Sequence, residues 1–324
     1  MARKQTCGAS AALVLAFSSS VAMSQPYPNK PVRIVVGFSA GGNIDITARI
    51  VAAKLSELWG ASVVVENRPG AGSSVATGFV AKAPADGYTL LTCTSSSHGI
   101  NSAIFKSLPY DPVKDFTPIS LVGLTQNALI AHSFLGVNTV QELIALAKRN
   151  PGKLSIASPG VGASQHLSIG LLMSIAGVDL IHVPYKGGSA ALTDLLGGQV
   201  PLMMSAVPTA LGAIKSATVR VLGVTGAARS AQLPGVPTIA ESGFPGYDVA
   251  TWTGICAPVG LPSALAEKLN ADLVKVISKS ETKQRLAEQG VEAASNTQIQ
   301  FAALIKAEIA KWPEAVKAAG ITPE

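Results

Sequence analysis

Charge is scarce in this 324-residue chain: Asp, Glu, Lys and Arg make up only 14% of it, against about 25% in an average soluble domain. Aromatic residues are scarce too, at 5%. Lys and Arg exceed the acids by six, but they form no basic runs and no interleaving with aromatics, so nucleic acid is not an expected partner. Three cysteines are too few for a disulfide framework in a chain of this size. The four histidines, His98, His132, His166 and His182, are spaced too widely for a local zinc motif. No Walker sequence occurs, and Gly160-Val161-Gly162 lacks the third glycine of a dinucleotide fingerprint. Neither a metal nor a cofactor is therefore expected. Beyond the N-terminal segment, no apolar run approaches the roughly 18 residues of a membrane span.

Apolar residues make up 48% of the chain, which excludes a disordered polymer, and at roughly 150 residues per domain the length suggests two domains. Residues 1–24 read as a secretory signal. Arg3 and Lys4 form its positive end, Ala9 to Phe17 its apolar stretch, and Ala22-Met23-Ser24 the small residues before cleavage at Gln25. Removing it leaves 23 basic and 19 acidic residues, a mild positive surplus that favours small anions. Cys93 and Cys256 then remain, each in an apolar strand-like stretch. Two buried thiols fit that pattern; a single bridge in an oxidising compartment fits it as well.

From Val32 onward strand and helix patterns alternate. Val32 to Val36 is an apolar run suited to a strand buried on both faces. Ile44, Ala48, Val51, Leu55 and Leu58 then form one helical stripe, ended by Gly60. Strands at Ser62 to Val65 and Tyr88 to Cys93 flank a helix at Ser74 to Ala83, a β-α-β-α-β series that favours a parallel sheet with right-handed crossovers. A second series begins near Asn127 and includes a capping box at Thr139 to Glu142. Its strands fall at Leu154 to Ala157, Ile181 to Pro184, Leu202 to Met204 and Val219 to Val224. After an extended stretch at Val249 to Ala257 only helices are expected, the last opening on a capping box at Thr297 to Gln300. If this tail packs back on the first half, two connections cross between the halves and leave a hinged cleft.

Three loops rich in glycine and hydroxyls follow strands, where a parallel sheet presents its binding edge. They are Gly37-Phe38-Ser39-Ala40-Gly41-Gly42-Asn43, Thr94 to Ser97, and Ser158 to Ser164. Gly41 and Gly42 let the backbone approach a ligand, and the free N–H groups of the following helix favour an anion. Asp45 in its first turn either caps those donors or bonds a polar group of the ligand. Each serine alone reads equally well as a helix cap; together they outline a polar cleft. Enzyme signatures fail. Gly162-Ala163-Ser164-Gln165-His166 matches a nucleophile elbow except at its last position, and His182 alternates with apolar neighbours as a satisfied core histidine does.

The motifs Gly41-Gly42-Asn43-Ile44-Asp45, Val65-Glu66-Asn67-Arg68-Pro69-Gly70-Ala71-Gly72, Asp86-Gly87-Tyr88-Thr89-Leu90-Leu91, Ser158-Pro159-Gly160-Val161-Gly162 and His182-Val183-Pro184-Tyr185-Lys186-Gly187 occur in that order. The chain resembles the Bug receptors, the extracytoplasmic solute-binding proteins of tripartite tricarboxylate transporters, over essentially its whole mature length. The resemblance implies an α/β, type II periplasmic-binding-protein fold with a hinge and an interlobe cleft. Residues 25–125 and 250–324 would form lobe 1, and residues 126–249 lobe 2. It implies no catalysis and a monomer in the periplasm that closes on a dicarboxylate, tricarboxylate or aromatic carboxylate and delivers it to membrane permease subunits. A sensor feeding a membrane signalling partner, or a secreted hydrolase using Ser164 and His166, are the competing readings. By position, the ligand would meet Phe38, Ser39, Gly41, Gly42, Asp45, Ser95 and Ser96 in one lobe. In the other it would meet Ser158, Gly162, Ser164, Ser205 and Val207. Three positions depart from the family pattern. Gly37 replaces a usual proline, which would loosen the first loop; Ser73 replaces a common glycine, affecting only a helix start; Pro201 replaces a usual aspartate before a strand that ends at the cleft, which would alter ligand choice.

Overall fold

The computed structural model describes residues 27–161, 163–185, 187–214, 217–318 and 320–321. The expected export segment with its cleavage point lies outside them, as do the candidate Gly162 and Lys186.

The first half is built as the alternation implies. Strand β1 (Val32–Val36), helix α1 (Asn43–Trp59), strand β2 (Val63–Asn67), helix α2 (Ser74–Ala81) and strand β3 (Thr89–Thr94) follow one another. β1 pairs in parallel with both β2 and β3. Gly60 ends α1 in the left-handed conformation at φ 64°, which only a residue without Cβ adopts freely. A single π turn (Ser96–Ile100) and the short helix α3 (Asn101–Ile104) then lead into β4 (Phe116–His132).

The second half contains α4 (Val140–Arg149), β5 (Ser155–Ser158), α5 (Ser164–Ala176), β6 (Ile181–Pro184) and α6 (Gly188–Leu196). It continues with β7 (Leu202–Ala206), α7 (Val207–Ile214) and β8 (Val219–Val224). In α4 the expected cap is present, with Thr139 Oγ1 accepting from the Glu142 N–H at 3.1 Å. The chain returns through β9 (Ala250–Pro258), α8 (Ser263–Ile277), α9 (Ser280–Glu288), β10 (Glu292–Ala293) and α10 (Gln298–Ala318). The two-residue β10 pairs with β4 and interrupts what the pattern read as helices alone.

The ten strands of the described residues join one sheet, in the order β2-β1-β3-β9-β4-β7-β5-β6, with β8 and β10 also pairing β4. β4 is the element common to both halves. Its first part pairs antiparallel with β9, from Phe116↔Pro258 to Gln126↔Ala250; its second part pairs with β7 and β8. In the first half, Ile34, Val36, Leu55 and Leu269 pack on one face of the sheet, and Val35, Leu91 and Phe116 on the other. In the second half, Leu129, Ile156 and Met204 face α4 and α5, while Ile130 and Met203 face α6 and α7.

α10 packs on both halves. Phe301 and Ile305 belong to the first-half core, and Trp312, Ala315 and Val316 to the second. The sequence pattern suggested a return to the first half alone, but 21 residues at about 1.5 Å each reach across both. Cys93 and Cys256 are not separate thiols: they form a disulfide between the adjacent strands β3 and β9, with Cα atoms 5.9 Å apart. Both lie in apolar runs, and only the pairing of the strands brings them together.

Candidate functional site

The first loop, between β1 and α1, is held by one carboxylate. Asp45 is 2% exposed; its Oδ2 accepts from the Gly41 N–H at 2.9 Å and from Arg49 Nε at 2.9 Å. Its Oδ1 accepts from Asn67 Nδ2 at 2.8 Å, and Asn67 also donates to the Phe38 carbonyl at 3.0 Å. Burial works to raise the pKa of Asp45, but the bonds from Arg49, Gly41 and Asn67 outweigh it and hold the carboxyl below its usual range. Asp45 thus braces the loop through Gly41, Arg49 and Asn67 and does not cap the first N–H groups of α1. Asn67 and Arg49 are the partners that sequence reasoning missed, although Asn67 lies in a motif quoted for the resemblance.

Gly37 and Ser73 explain each other. A Cβ on Gly37 would lie 1.8 Å from Ser73 Oγ, so the hydroxymethyl group of Ser73 fills the space a larger residue at 37 would need. Ser73 adopts a left-handed conformation at φ 80°, which accounts for glycine being common there. The side chain lost at one position is thus restored from the other, which offsets the loosening expected from Gly37. Pro201 precedes β7 and lies about 17 Å from Ala206 at the other end of that strand, at roughly 3.3 Å per residue.

β3 ends at Thr94, and the turn that follows bonds to itself. Ser97 Oγ accepts from the Thr94 N–H at 3.1 Å and lies 2.9 Å from His98 Nδ1. Full burial pushes the pKa of His98 down to about 3, so its ring is a neutral part of the core beside Phe116, 4.7 Å away. Among the described residues the hydroxyls of Ser95 and Ser96 have no such bonds, and Ser95 is buried.

The loop opened by β5 uses neutral groups. Ser158 is fully buried, with Oγ 2.6 Å from His182 Nε2 and 3.2 Å from the Gly160 N–H. His182 stacks on His166, with ring centroids 3.7 Å apart. Burial, helped by the adjacent His166, pushes the pKa of His182 down to about 4, so it too is neutral near pH 7. His182 is satisfied, as expected, but by a candidate ligand residue rather than by the core. Ser164 Oγ bonds Gln165 Oε1 at 3.2 Å, and Gln165 Nε2 donates to Asn127 Oδ1 on β4 at 2.9 Å. His166 turns to the other imidazole, so no Ser164–His166 dyad forms.

Two helices open into these loops uncapped. α1 begins after Gly42 and α5 after Ala163, and among the described residues neither start is capped by a side chain of its N-cap residue. Such ends carry partial positive charge and unfilled donors. Strand register relates the two rims. Thr94 pairs with Thr253, which pairs with Gly123 of β4, while Ala206 pairs with Asn127, four residues further along the same strand. Across this junction Gln232 Nε2 donates to the Ala287 carbonyl at 2.7 Å. Val207 lines a cavity of about 230 Å³ between the halves, together with Leu124, Gln126, Gln232, Lys283 and Val291. The Oε1 of Gln126 and the hydroxyl of Ser205 are buried there or nearby on β7 without a hydrogen-bond partner among the described residues. Gln126 had no sequence signal: a lone Gln in an extended stretch reads as solvent-facing.

No three His, Cys, Asp or Glu side chains converge on a metal-sized site among the described residues, and no described helix is long and apolar enough to cross a membrane. The model of the tripartite tricarboxylate transporter family receptor matches residues 47–321. The chain is 34% identical to BugT of Bordetella pertussis, over 91% of this chain and 90% of that one. A structure described as R. palustris Rpa4515 with adipate superposes with a TM-score of 0.77 at 36% identity, covering 92% of this chain and all of that one. MatC from Rhodopseudomonas palustris with bound malate gives a TM-score of 0.71 at 32% identity, covering 90% and 100%. The chain belongs to the tripartite tricarboxylate transporter receptor family, whose members are solute-binding receptors rather than enzymes.

Proposed function

We propose that this chain is a periplasmic receptor that captures a small dicarboxylic acid between two lobes and presents the closed form to a membrane permease. The observation that carries the reading is the pair of uncapped helix starts, α1 and α5, on loops held in place by separate networks. A carboxylate loses much of its hydration on burial, and charge-assisted bonds from main-chain N–H groups and hydroxyls offset that loss. In lobe 1 the donors would be the Gly42 end of α1 with Ser39, Ser95 and Ser96, and Phe38 would supply an apolar wall. In lobe 2 they would be Ser158, Ser164 and Ser205, with Val207 at the cavity. One donor set on each lobe would suit an acid with a charged group at one end and a second polar group at the other; adipate and malate in the similar structures have that form. Lobe 1 is taken as residues 25–125 and 250–324 and lobe 2 as residues 126–249, with β4 and β9 as the hinge and the protein acting as a monomer.

Closure shifts with the acid because the closed form binds it better. Isothermal titration of the refolded-free, purified protein with adipate, malate, citrate and benzoate tests the reading. One-to-one binding of at least one dicarboxylate, with a raised melting temperature, is the expected result. Silence across the panel, with no acid retained in native mass spectrometry, would contradict it.

A further inference from the structure

Two imidazoles stand behind the Ser158 hydroxyl. His182, near the start of β6, places Nε2 2.6 Å from Ser158 Oγ at the end of β5. His166, in the first turn of α5, stacks on the His182 ring at 3.7 Å with the planes only 13° apart. The stack fixes the plane in which Nε2 meets the hydroxyl, and it ties β6 to the helix that opens from the Ser158 loop.

A serine hydroxyl has one proton to donate and two lone pairs to accept with. The Gly160 N–H, 3.2 Å away, occupies one lone pair of Ser158. What the imidazole does decides the rest. If Nε2 is bare, Ser158 gives its proton to the ring and offers only a lone pair to an approaching anion. If Nε2 carries the ring proton, both lone pairs are occupied and the hydroxyl proton must go elsewhere. In this structure its other acceptor is the neutral Gly160 carbonyl at 3.2 Å. A carboxylate is a stronger acceptor than that carbonyl and would take the proton.

We propose that His182 is a positioning residue of the ligand site: as the Nε2–H tautomer, held flat by His166, it donates to Ser158 and turns the Ser158 proton toward the bound carboxylate. The inference rests on the reading that Ser158 contacts the acid. It gives His182, within the His182-Val183-Pro184-Tyr185 segment, a role in orienting the Ser158 hydroxyl.

The tautomer is read directly from the ring ¹⁵N shifts of the acid-free wild-type protein near pH 7. A protonated Nε2 with a bare Nδ1 on His182 supports the inference, and the reverse assignment overturns it without any ligand. Titration with adipate then compares wild type with Ser158→Ala, His182→Phe and His182→Gln. Phe keeps a ring against His166 but has no donor, whereas Gln restores an amide N–H. Loss of about tenfold in affinity for Ser158→Ala and His182→Phe, the worth of one hydrogen bond, with most of it recovered in His182→Gln, is the expected pattern. A His182→Phe protein that binds adipate as wild type does, while Ser158→Ala is weakened, overturns the positioning role alone. If Ser158→Ala also binds unchanged, the fault lies in the reading of Ser158 as a ligand contact. Should His182→Phe fail to fold, the tautomer of the wild-type protein decides.

Discussion

The two candidate loops do the same job with opposite chemistry. The β1–α1 loop is braced by an ion pair, with Asp45 gathering Arg49, Asn67 and the Gly41 N–H. The β5–α5 loop is braced by neutral groups, with Ser158 held by His182 and Gly160 and Gln165 held by Asn127. On the proposed reading, what both need is a helix start kept open to an anion, not a particular bracing residue. In the first loop the brace is itself an anion, so Arg49 is required to offset it. A neutral brace needs no such partner, but its imidazole must hold the right tautomer.

A disulfide adds to the asymmetry. The bridge between Cys93 and Cys256 lies in the first half, and residues 126–249 contain no cysteine. It links residues 163 apart, so removing it with a Cys93→Ser, Cys256→Ser double variant is expected to cost about 2–5 kcal/mol. Chemical denaturation of that variant, and of wild type under reductant, checks this; equal midpoints would show that the first half does not depend on the bridge. Next in size, Asp45→Ala leaves Arg49 and the Gly41 N–H without their shared partner. A loss of about 3 kcal/mol is expected, together with weaker acid binding, and denaturation and titration of the same sample separate the two effects.

A smaller effect tests the mutual fit of Gly37 and Ser73. Gly37→Pro alone forces its ring into the Ser73 hydroxymethyl group, at an expected cost of about 1–3 kcal/mol. Adding Ser73→Gly should recover most of it. A cycle with no coupling would mean the loop moves aside instead, and that the two positions are independent.

The smallest effect comes with acid. His182 is held down to about 4, below the ordinary 6.5 of an unfolded histidine. Between those values the unfolded chain binds the extra proton, so this contribution to stability is full above about pH 7 and falls as the pH drops toward 4. Asp45 behaves differently. Its carboxyl is held low, so its contribution is full above the ordinary aspartate range and is lost as the pH falls through that range toward the lowered native value, below the pH 7 to 4.5 window. His98, pushed down to about 3 by burial, adds a slope of the same sign as His182. Melting curves from pH 7 to pH 4.5 should therefore be shallower for His182→Phe than for wild type, while an Asp45→Asn protein keeps the wild-type slope. Identical slopes in all three would remove the distinction between the two loops.

The elements that carry one uniform signal were legible in the sequence. β1, β6 and β8 run over the expected residues, because short apolar runs between turn residues admit little else. The capping box at Thr297 is present as both of its bonds; at Thr139 the hydroxyl caps the Glu142 N–H as expected, but the Glu142 carboxylate accepts from the Asn138 N–H one residue earlier. β4 was legible only at Leu129 and Ile130, because Pro118, Gly123, Gln126 and Asn127 break its apolar run. Those residues are tolerated where the rest of the fold satisfies them, as Asn127 is by Thr225, Ser168 and Gln165. The site divides in the same way. Gly41, Gly42 and Ser158 stand out as loop residues after strands, whereas the Cys93–Cys256 bridge, the Gly37–Ser73 fit and the hold of His182 on Ser158 join residues from 24 to 163 positions apart. No local pattern records a contact of that kind.

A crystal structure of the protein with whichever dicarboxylate it binds tests the central claim most directly. The account predicts one carboxylate bridging the two rims, accepting from main-chain N–H groups at the Gly42 end of α1 and from the Ser158 hydroxyl. Electron density for the acid that touches only one of these loops, or that lies away from both, would contradict it.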